Sequence, residues 1–122
     1  MNRLIGIGTD IEDIERFRLT NKDHKTLLAK IFTEKELEYC FSKKPAAPHL
    51  AARYTGKEAI IKALNSISIG KNLQFNEIEI YNNEIGVPIV NINKFKNLEI
   101  YLSLSHCKDK AIAFVIIVEK VK

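Results

Sequence analysis

The sequence of 122 residues lacks the features that mark secreted and membrane proteins. It contains only two cysteines, Cys40 and Cys107, so a disulfide framework is not expected and both thiols are predicted to be free. No apolar run is long enough to cross a bilayer, and the N-terminus has no basic stretch followed by an apolar signal region. We therefore expect a soluble, cytoplasmic protein that does not bind a membrane.

Basic tracts are also missing, although the net charge is +4 and the pI is about 9.1. Lysines spread along the chain carry most of the positive charge, and no basic patch is interleaved with aromatic residues, so nucleic acid is not an expected partner. The charge balance still favours an anionic partner. Arginine is the side chain best suited to bidentate binding of phosphate or carboxylate, and the sequence has only four: Arg3, Arg16, Arg18 and Arg53.

The order of elements predicts a single α+β domain over residues 1–122, since this length suffices for one core and the chain shows no repeats or low-complexity segment. Leu4–Thr9 is predicted to be a strand. Apolar residues at helical spacing predict a short helix or helical turn over Ile11–Leu19. A Thr-x-x-Glu capping box at Thr33 starts a helix to about Phe41, and the central helix is predicted from Pro48 to about Asn65.

The second half of the chain has strand patterns. Ile78–Tyr81 and Pro88–Ile92 predict a hairpin, and Leu98–Ser105 alternates between apolar and polar residues. The last strand, Ala111–Val118, is apolar at odd and even positions alike, which predicts that both of its faces are covered. One small sheet with helices on one side cannot cover both faces, so we expect a subunit interface.

Two glycines precede an aspartate in the first strand. Side chains alternate along a strand, so Gly6, Gly8 and Asp10 are predicted to share one face, with empty space beside the carboxylate. Glycine inside a strand often marks close approach by a ligand or by another backbone. The third glycine of a dinucleotide-binding fingerprint is absent, which excludes that motif.

The central helix carries a carboxylate, Glu58, within its apolar arc. Burying a carboxylate is costly unless a cation pairs with it, and Lys57, Lys62 or a metal could supply that cation. The alternative is that Glu58 and Lys62, four residues apart, form an ordinary surface ion pair. The opposite face is a seam of small residues that lets another element approach closely: Ala52, Gly56, Ala59 and Ala63.

Taken in order, these motifs resemble the holo-acyl carrier protein synthase family of 4'-phosphopantetheinyl transferases. The resemblance covers nearly the whole chain: Gly-x-Gly-x-Asp at 6–10, Phe-Thr-x-x-Glu at 32–36, Lys-Glu-Ala-x-x-Lys-Ala at 57–63, Gly-x-Pro at 86–88 and Ser-x-Ser-His at 103–106. It implies a homotrimer with active sites between subunits. The implied reaction transfers phosphopantetheine from coenzyme A to a serine of apo acyl carrier protein, releases adenosine 3',5'-bisphosphate and supports fatty acid biosynthesis.

The resemblance also implies a Mg²⁺ cofactor, with Asp10 and Glu58 matching the family's metal ligands. Mg²⁺ prefers oxygen ligands and is usually bound by one or two carboxylates together with waters and substrate phosphates. Asp10, Glu58 and Lys62 would form the catalytic group. The acceptor of the serine proton stays open among a metal-bound water, which we favour, Asp10, Glu58 and a deprotonated Lys62.

Basic side chains are implied to bind the two substrates. The coenzyme A phosphates would be contacted by Lys44, Arg53, Lys62 and His106. Arg16 matches a basic family position and is our candidate for docking the acidic acyl carrier protein. The alternative for Arg16 is a surface ion pair with Glu12, which would contribute little.

Two stretches depart from the family pattern. Gly56 stands where the family more often has alanine, which weakens the helix by up to about 1 kcal/mol. Asn65–Gly70 stands where a Gly-Thr-Gly turn is usual, so no coenzyme A contact is assigned to that loop. Two other function classes remain: a Mg²⁺-dependent phosphotransferase for another nucleotide, and a basic binding module without chemistry.

Overall fold

A computed structural model describes residues 3–21 and 23–121. Its main elements, in chain order, are β1 (Ile5–Asp13), α1 (Lys25–Leu28), α2 (Glu34–Phe41), α3 (Ala47–Ser66), β2 (Ile78–Asn82), β3 (Pro88–Ile92), β4 (Leu98–His106) and β5 (Lys110–Glu119). Short 3-10 helices lie at Ile14–Phe17, Phe75–Glu77 and Asn93–Phe95. Within these residues, no helix combines the length and the apolar character that a bilayer span requires.

The strands form two antiparallel sheets rather than one. A three-stranded sheet has the order β1-β5-β4, and β2 pairs with β3 in a separate hairpin. In the larger sheet Asp10 lies opposite Ala113 of the central strand. The predicted α+β class is confirmed, and α3 contacts strands of both sheets.

The glycines of β1 are needed because α3 lies directly against that strand. A Cβ atom at Gly8 would lie 2.0 Å from the carbonyl oxygen of Ala59, and one at Gly6 would lie 2.5 Å from that of Ala63. The seam of small residues predicted on α3 therefore does let another element approach. The expectation of empty space on this strand face is wrong for the glycines, because the backbone of α3 fills it.

The capping box at the start of α2 is confirmed. The Thr33 hydroxyl accepts a hydrogen bond from the Glu36 backbone N–H at 3.3 Å, and the Glu36 carboxylate accepts one from the Thr33 N–H at 2.9 Å. Such reciprocal bonds satisfy two backbone donors that a helix start otherwise leaves unpaired. They also fix the Glu36 side chain under the helix, where it is 1% exposed.

The helix predicted over Ile11–Leu19 is wrong in its first three residues. β1 continues to Asp13, and only Ile14–Phe17 forms a 3-10 helix. Ile14 and Phe17 are buried as expected, but Ile11 is 58% exposed on the sheet. The spacing of three between these apolar residues fits a strand followed by a helical turn as well as it fits a helix.

The last strand has one face buried within the chain and one face open. Ala111, Ala113, Val115 and Ile117 are buried, with α3 packed against the strand. We call the opposite surface the outer sheet face. It carries apolar residues that are 37–60% exposed: Ile5, Ile7, Ile11, Ile112, Phe114 and Ile116. Cover for the second face of β5 thus stays a prediction about subunit association.

Candidate active site

Three carboxylates meet where β1 passes the middle of α3. Asp10 and Glu12 are two residues apart on β1 and so share a face, and Glu58 comes from α3. One ligand oxygen from each lies within 4.8 Å of the others, and each residue is partly buried. Carboxylates this close repel one another, and nearby cations are needed to offset that repulsion.

Lys62 supplies part of that positive charge. Its Nζ lies 2.8 Å from Oδ1 of Asp10 and 3.3 Å from the backbone oxygen of Thr9. The hydrogen bond and the charge of Asp10 raise the pKa of Lys62, so the amine stays protonated at neutral pH. Within residues 3–21 and 23–121, Glu58 forms no ion pair, so the predicted surface pair with Lys62 is not observed.

The second oxygen of Asp10 makes this cluster suitable for a metal. The Asp10 side chain is 10% exposed, and its Oδ2 is buried without a hydrogen-bond partner among the described residues. A buried carboxylate oxygen normally has a partner, because leaving it unpaired costs about 1–3 kcal/mol. The carboxylate oxygens of Asp10 and Glu58, among them the unpaired Oδ2 of Asp10, are ligands suited to Mg²⁺.

Arg16 lies at the edge of the same cluster. Its Nη1 is 2.7 Å from Oε1 of Glu12, which is the surface ion pair named above as the alternative. Its guanidinium carbon also lies 5.0 Å from the centre of the Tyr54 ring. Burial, and then the neighbouring carboxylate of Glu58, raise the pKa of Tyr54. The Arg16 side chain remains 52% exposed and accessible to a partner.

Lys57 is not the partner of Glu58. Its Nζ lies 2.6 Å from Oε1 of Glu36, and it also donates to the backbone oxygens of Ile31 at 2.6 Å and Phe75 at 3.0 Å. The other oxygen of Glu36 accepts the Ile80 N–H at 2.8 Å. The expectation that Lys57 could neutralise Glu58 is wrong, because the side chain is directed into the core on another face of α3.

A second group of side chains lies near the N-terminal half of α3. Arg53 is 3% exposed, its guanidinium carbon lies 4.3 Å from the Tyr39 ring centre, and its Nε is buried without a hydrogen-bond partner in the described chain. The His49 ring lies 6.2 Å from that of His106. Burial, and then the charge of Arg53, lower the pKa of His49. Arg53, His49 and His106 thus lie near one another around Tyr39 and His49, and we call them the basic group.

The predicted site residues fall into two neighbouring groups. Asp10, Glu58 and Lys62 form the acidic cluster, while Arg53 and His106 belong to the basic group about one and a half helical turns away, as the spacing of 53 and 58 on α3 indicates. Lys44 is exposed in the segment before α3 and forms no hydrogen bond or ion pair with either group in the described chain.

Three residues at the site were missed from the sequence: Glu12, His49 and Tyr54. Glu12 would have been found by extending the strand alternation two residues beyond Asp10. Tyr54 lies one turn before Glu58 on α3, a spacing at which helical side chains meet. Nothing in the sequence brings His49 to His106, because that pairing depends on how β4 ends beside α3.

Comparison with known proteins identifies the family. A family model described as the 4'-phosphopantetheinyl transferase superfamily matches residues 6–115. A holo-(acyl-carrier-protein) synthase from Thermodesulfovibrio yellowstonii is 45% identical over 92% of this chain and 96% of its own.

Solved structures that resemble this chain belong to the same class of synthase as the relative found by sequence. The synthase of Bacillus anthracis, described in complex with CoA (3',5'-ADP), has a TM-score of 0.79 and 28% identity over 98% of this chain and all of its own. The Helicobacter pylori synthase, in complex with coenzyme A, has a TM-score of 0.75 and 32% identity over 91% of this chain and 98% of its own. The chain belongs to the 4'-phosphopantetheinyl transferase superfamily and, within it, to the holo-(acyl-carrier-protein) synthases.

Proposed function

We propose that the chain transfers 4'-phosphopantetheine from coenzyme A to a serine of apo acyl carrier protein in a Mg²⁺-dependent reaction. The products are holo acyl carrier protein and adenosine 3',5'-bisphosphate, and the reaction supports fatty acid biosynthesis in the cytoplasm. The unpaired Oδ2 of Asp10 beside Glu58 and Lys62 is the observation that carries this proposal. The names of the relatives and the coenzyme A complexes of two of them support the choice of substrates.

Asp10 and Glu58 would hold the metal. When bound, Mg²⁺ would neutralise charge on the coenzyme A pyrophosphate and orient it for in-line attack by the serine oxygen. Lys62 adds a positive charge facing the same phosphates from its exposed position one turn from Glu58. Glu58 has no ion-pair partner in the described chain, which supports its role as a metal ligand. For the serine proton we favour a water held by the metal over Asp10, Glu58 or Lys62 as the acceptor.

The basic group would bind the phosphates of the nucleotide half. Arg53 is the strongest candidate because its buried guanidinium has no carboxylate partner among the described residues, and a buried charge needs an anion. His106 adds a donor at the exposed end of β4, and Lys44 adds charge from the loop before α3. The planar guanidinium suits bidentate phosphate binding.

The chain would act as a homotrimer with active sites between subunits. The outer sheet face presents six large apolar side chains that are at least 37% exposed in the single chain. Exposed apolar patches of this kind mark association surfaces. Sedimentation equilibrium at micromolar concentration should give the mass of three chains, and a monomer would contradict this part of the proposal.

The intact mass of an apo acyl carrier protein tests the reaction. After incubation with the chain, coenzyme A and Mg²⁺, the carrier should gain one phosphopantetheine group, and EDTA should abolish the gain. Chromatography should detect adenosine 3',5'-bisphosphate in equal amount. Release of another nucleotide without carrier modification would favour the rival phosphotransferase, and an unmodified carrier with no nucleotide released would favour a binding module.

A further inference from the structure

Glu12 lies between the guanidinium of Arg16 and the carboxylates of Asp10 and Glu58. One of its carboxylate oxygens lies 2.7 Å from Nη1 of Arg16. A ligand oxygen of Glu12 also lies within 4.8 Å of ligand oxygens from Asp10 and Glu58. Opposite oxygens around an octahedral Mg²⁺ ion are about 4.2 Å apart, so small side-chain movements would bring three carboxylates to one ion. The Glu12 side chain is 17% exposed and so lies mostly below the surface beside the cluster.

The charges around the cluster leave room for a divalent cation. Three carboxylates carry three negative charges, and Lys62 and Arg16 provide two positive charges through Asp10 and Glu12. The buried Oδ2 of Asp10 has no partner in the described chain, and Glu58 pairs with no cation there. The unpaired oxygen of a side chain that is nine-tenths buried shows that the present cations do not satisfy the cluster.

Arg16 differs from Lys62 in how it is held. Its side chain is 52% exposed and packs over the Tyr54 ring, so its guanidinium can exchange Glu12 for another carboxylate with little loss of burial. Because the Arg16 end of the pair is exposed to water, the pair contributes only modestly to stability, and an incoming acidic group can compete for the guanidinium. Arg16 is therefore suited to respond to an acidic partner.

We propose that Glu12 is a third ligand of the divalent cation, that its ion pair with Arg16 weakens this ligation, and that an acidic group of the docked carrier protein relieves the weakening by pairing with Arg16. This inference rests on the proposed function for the identity of the acidic partner. Because binding couplings are reciprocal, the cation should also tighten the binding of the carrier.

Titration of the chain with Mn²⁺, in the absence of coenzyme A and carrier, tests the first two parts. Mn²⁺ takes the same oxygen ligands as Mg²⁺, and the free ion is counted by electron paramagnetic resonance. Glu12→Gln should weaken Mn²⁺ binding about tenfold, since each added carboxylate raises affinity for such ions. Arg16→Ala should tighten binding about threefold, and the double variant should bind like Glu12→Gln alone.

Matched control variants remove one negative and one positive charge from an ion pair close to Glu12 and Arg16 in the sequence. Glu15 and Arg18 form an ion pair at 2.5 Å on the adjacent 3-10 helix and its end, with side chains that are 77% and 41% exposed. Glu15→Gln and Arg18→Ala should each change Mn²⁺ affinity by less than about twofold if only distant, screened charge is altered. An unchanged affinity in Glu12→Gln would overturn the proposal. So would tightening by Arg16→Ala that persists when Glu12 is already Gln.

A carrier protein whose acceptor serine is replaced by alanine tests the third part. Adding it should tighten Mn²⁺ binding to the wild type and leave Glu12→Gln unchanged. Equal tightening in both, or none in the wild type, would overturn the coupling. These titrations involve no transfer, so failure of the mass assay would reject the proposed function while the Mn²⁺ cycle independently decides whether Glu12 is a ligand.

Discussion

Two lysines of α3, Lys57 and Lys62, each donate a hydrogen bond to a carboxylate, but one pair is buried and the other lysine is exposed to solvent. The pair of Lys57 and Glu36 is 2.6 Å long and both side chains are fully buried. The pair of Lys62 and Asp10 is 2.8 Å long, with the lysine 56% exposed. Distance alone does not distinguish a structural ion pair from a functional one.

The difference lies in whether every polar atom is satisfied. Lys57 makes three hydrogen bonds, and both oxygens of Glu36 are paired. At the other pair, Oδ2 of Asp10 is buried and unpaired in the described chain. A saturated buried pair has no remaining capacity for a ligand and fastens α2, α3 and β2 together. An unsaturated pair at the surface is where a ligand can bind.

Removing the cation of the buried pair should give the largest effect on folding. Lys57→Met leaves Glu36 buried without a cation, and breaking such a pair costs about 3–5 kcal/mol. Urea unfolding should report this loss in the free energy of unfolding. A loss below about 1 kcal/mol would contradict the structural role of the pair.

Changing the carboxylate of the surface pair should affect chemistry instead. Asp10→Asn keeps the shape of the side chain and removes its charge, so transfer should fall about a hundredfold or more, as expected for loss of a metal ligand. Its free energy of unfolding should change by less than about 1 kcal/mol, because losing the pair with the exposed Lys62 is offset by weaker repulsion from Glu12 and Glu58. Wild-type transfer by this variant would remove Asp10 from the proposed site.

The reactivity of Cys40 provides a further comparison between the buried ion pair of Lys57 and the pair of Lys62. It is fully buried beside the Glu36 and Lys57 pair, and burial raises the pKa of its thiol to about 12. Because only the thiolate reacts readily, iodoacetamide at pH 8 should label exposed Cys107 first and reach Cys40 only after local opening.

Mass spectrometry of the labelled peptides compares the variants. Lys57→Met should raise the labelling rate of Cys40 at least about tenfold, since opening becomes easier by more than about 1.4 kcal/mol. Asp10→Asn should leave that rate unchanged. Equal acceleration in both variants would mean that the two pairs are not independent.

The smallest effect should come from Lys62→Met, the counterpart of Lys57→Met. Its side chain is 56% exposed, and exposed ion pairs contribute little to stability, so the urea midpoint should barely move. Transfer should still fall, because the positive charge that we propose for binding the coenzyme A phosphates is lost. A stability loss as large as that of Lys57→Met would erase the distinction between the two pairs.

Local patterns predicted most of the fold. The alternation of Gly6, Gly8 and Asp10 placed the aspartate on the face that meets α3, and the capping box at Thr33 located the start of α2. These features depend on neighbours within four residues. The family resemblance added the expected roles of Asp10 and Glu58 as metal ligands. For Glu58, residue chemistry alone left the partner open between a metal and a lysine.

Ion pairs between residues that are far apart in the sequence could not be predicted from local patterns. Lys57 is 21 residues from Glu36 and carries no mark that separates it from Lys62, which is five residues further along the same helix. Burial decides between them, and burial depends on how α2 and β2 pack on α3. Glu12 was missed because the apolar spacing of its neighbours predicted a helix where β1 continues.

The central claim is that the unsatisfied carboxylate of β1, and not the saturated one of α2, serves the chemistry. The most direct test is the intact mass of an apo acyl carrier protein incubated with coenzyme A, Mg²⁺ and either the wild type or Asp10→Asn at equal folded concentration. We expect one phosphopantetheine per carrier with the wild type. We expect no modification when EDTA is added, and none with Asp10→Asn in the time that the wild type needs. Equal modification by both proteins, or modification that persists in EDTA, would contradict it.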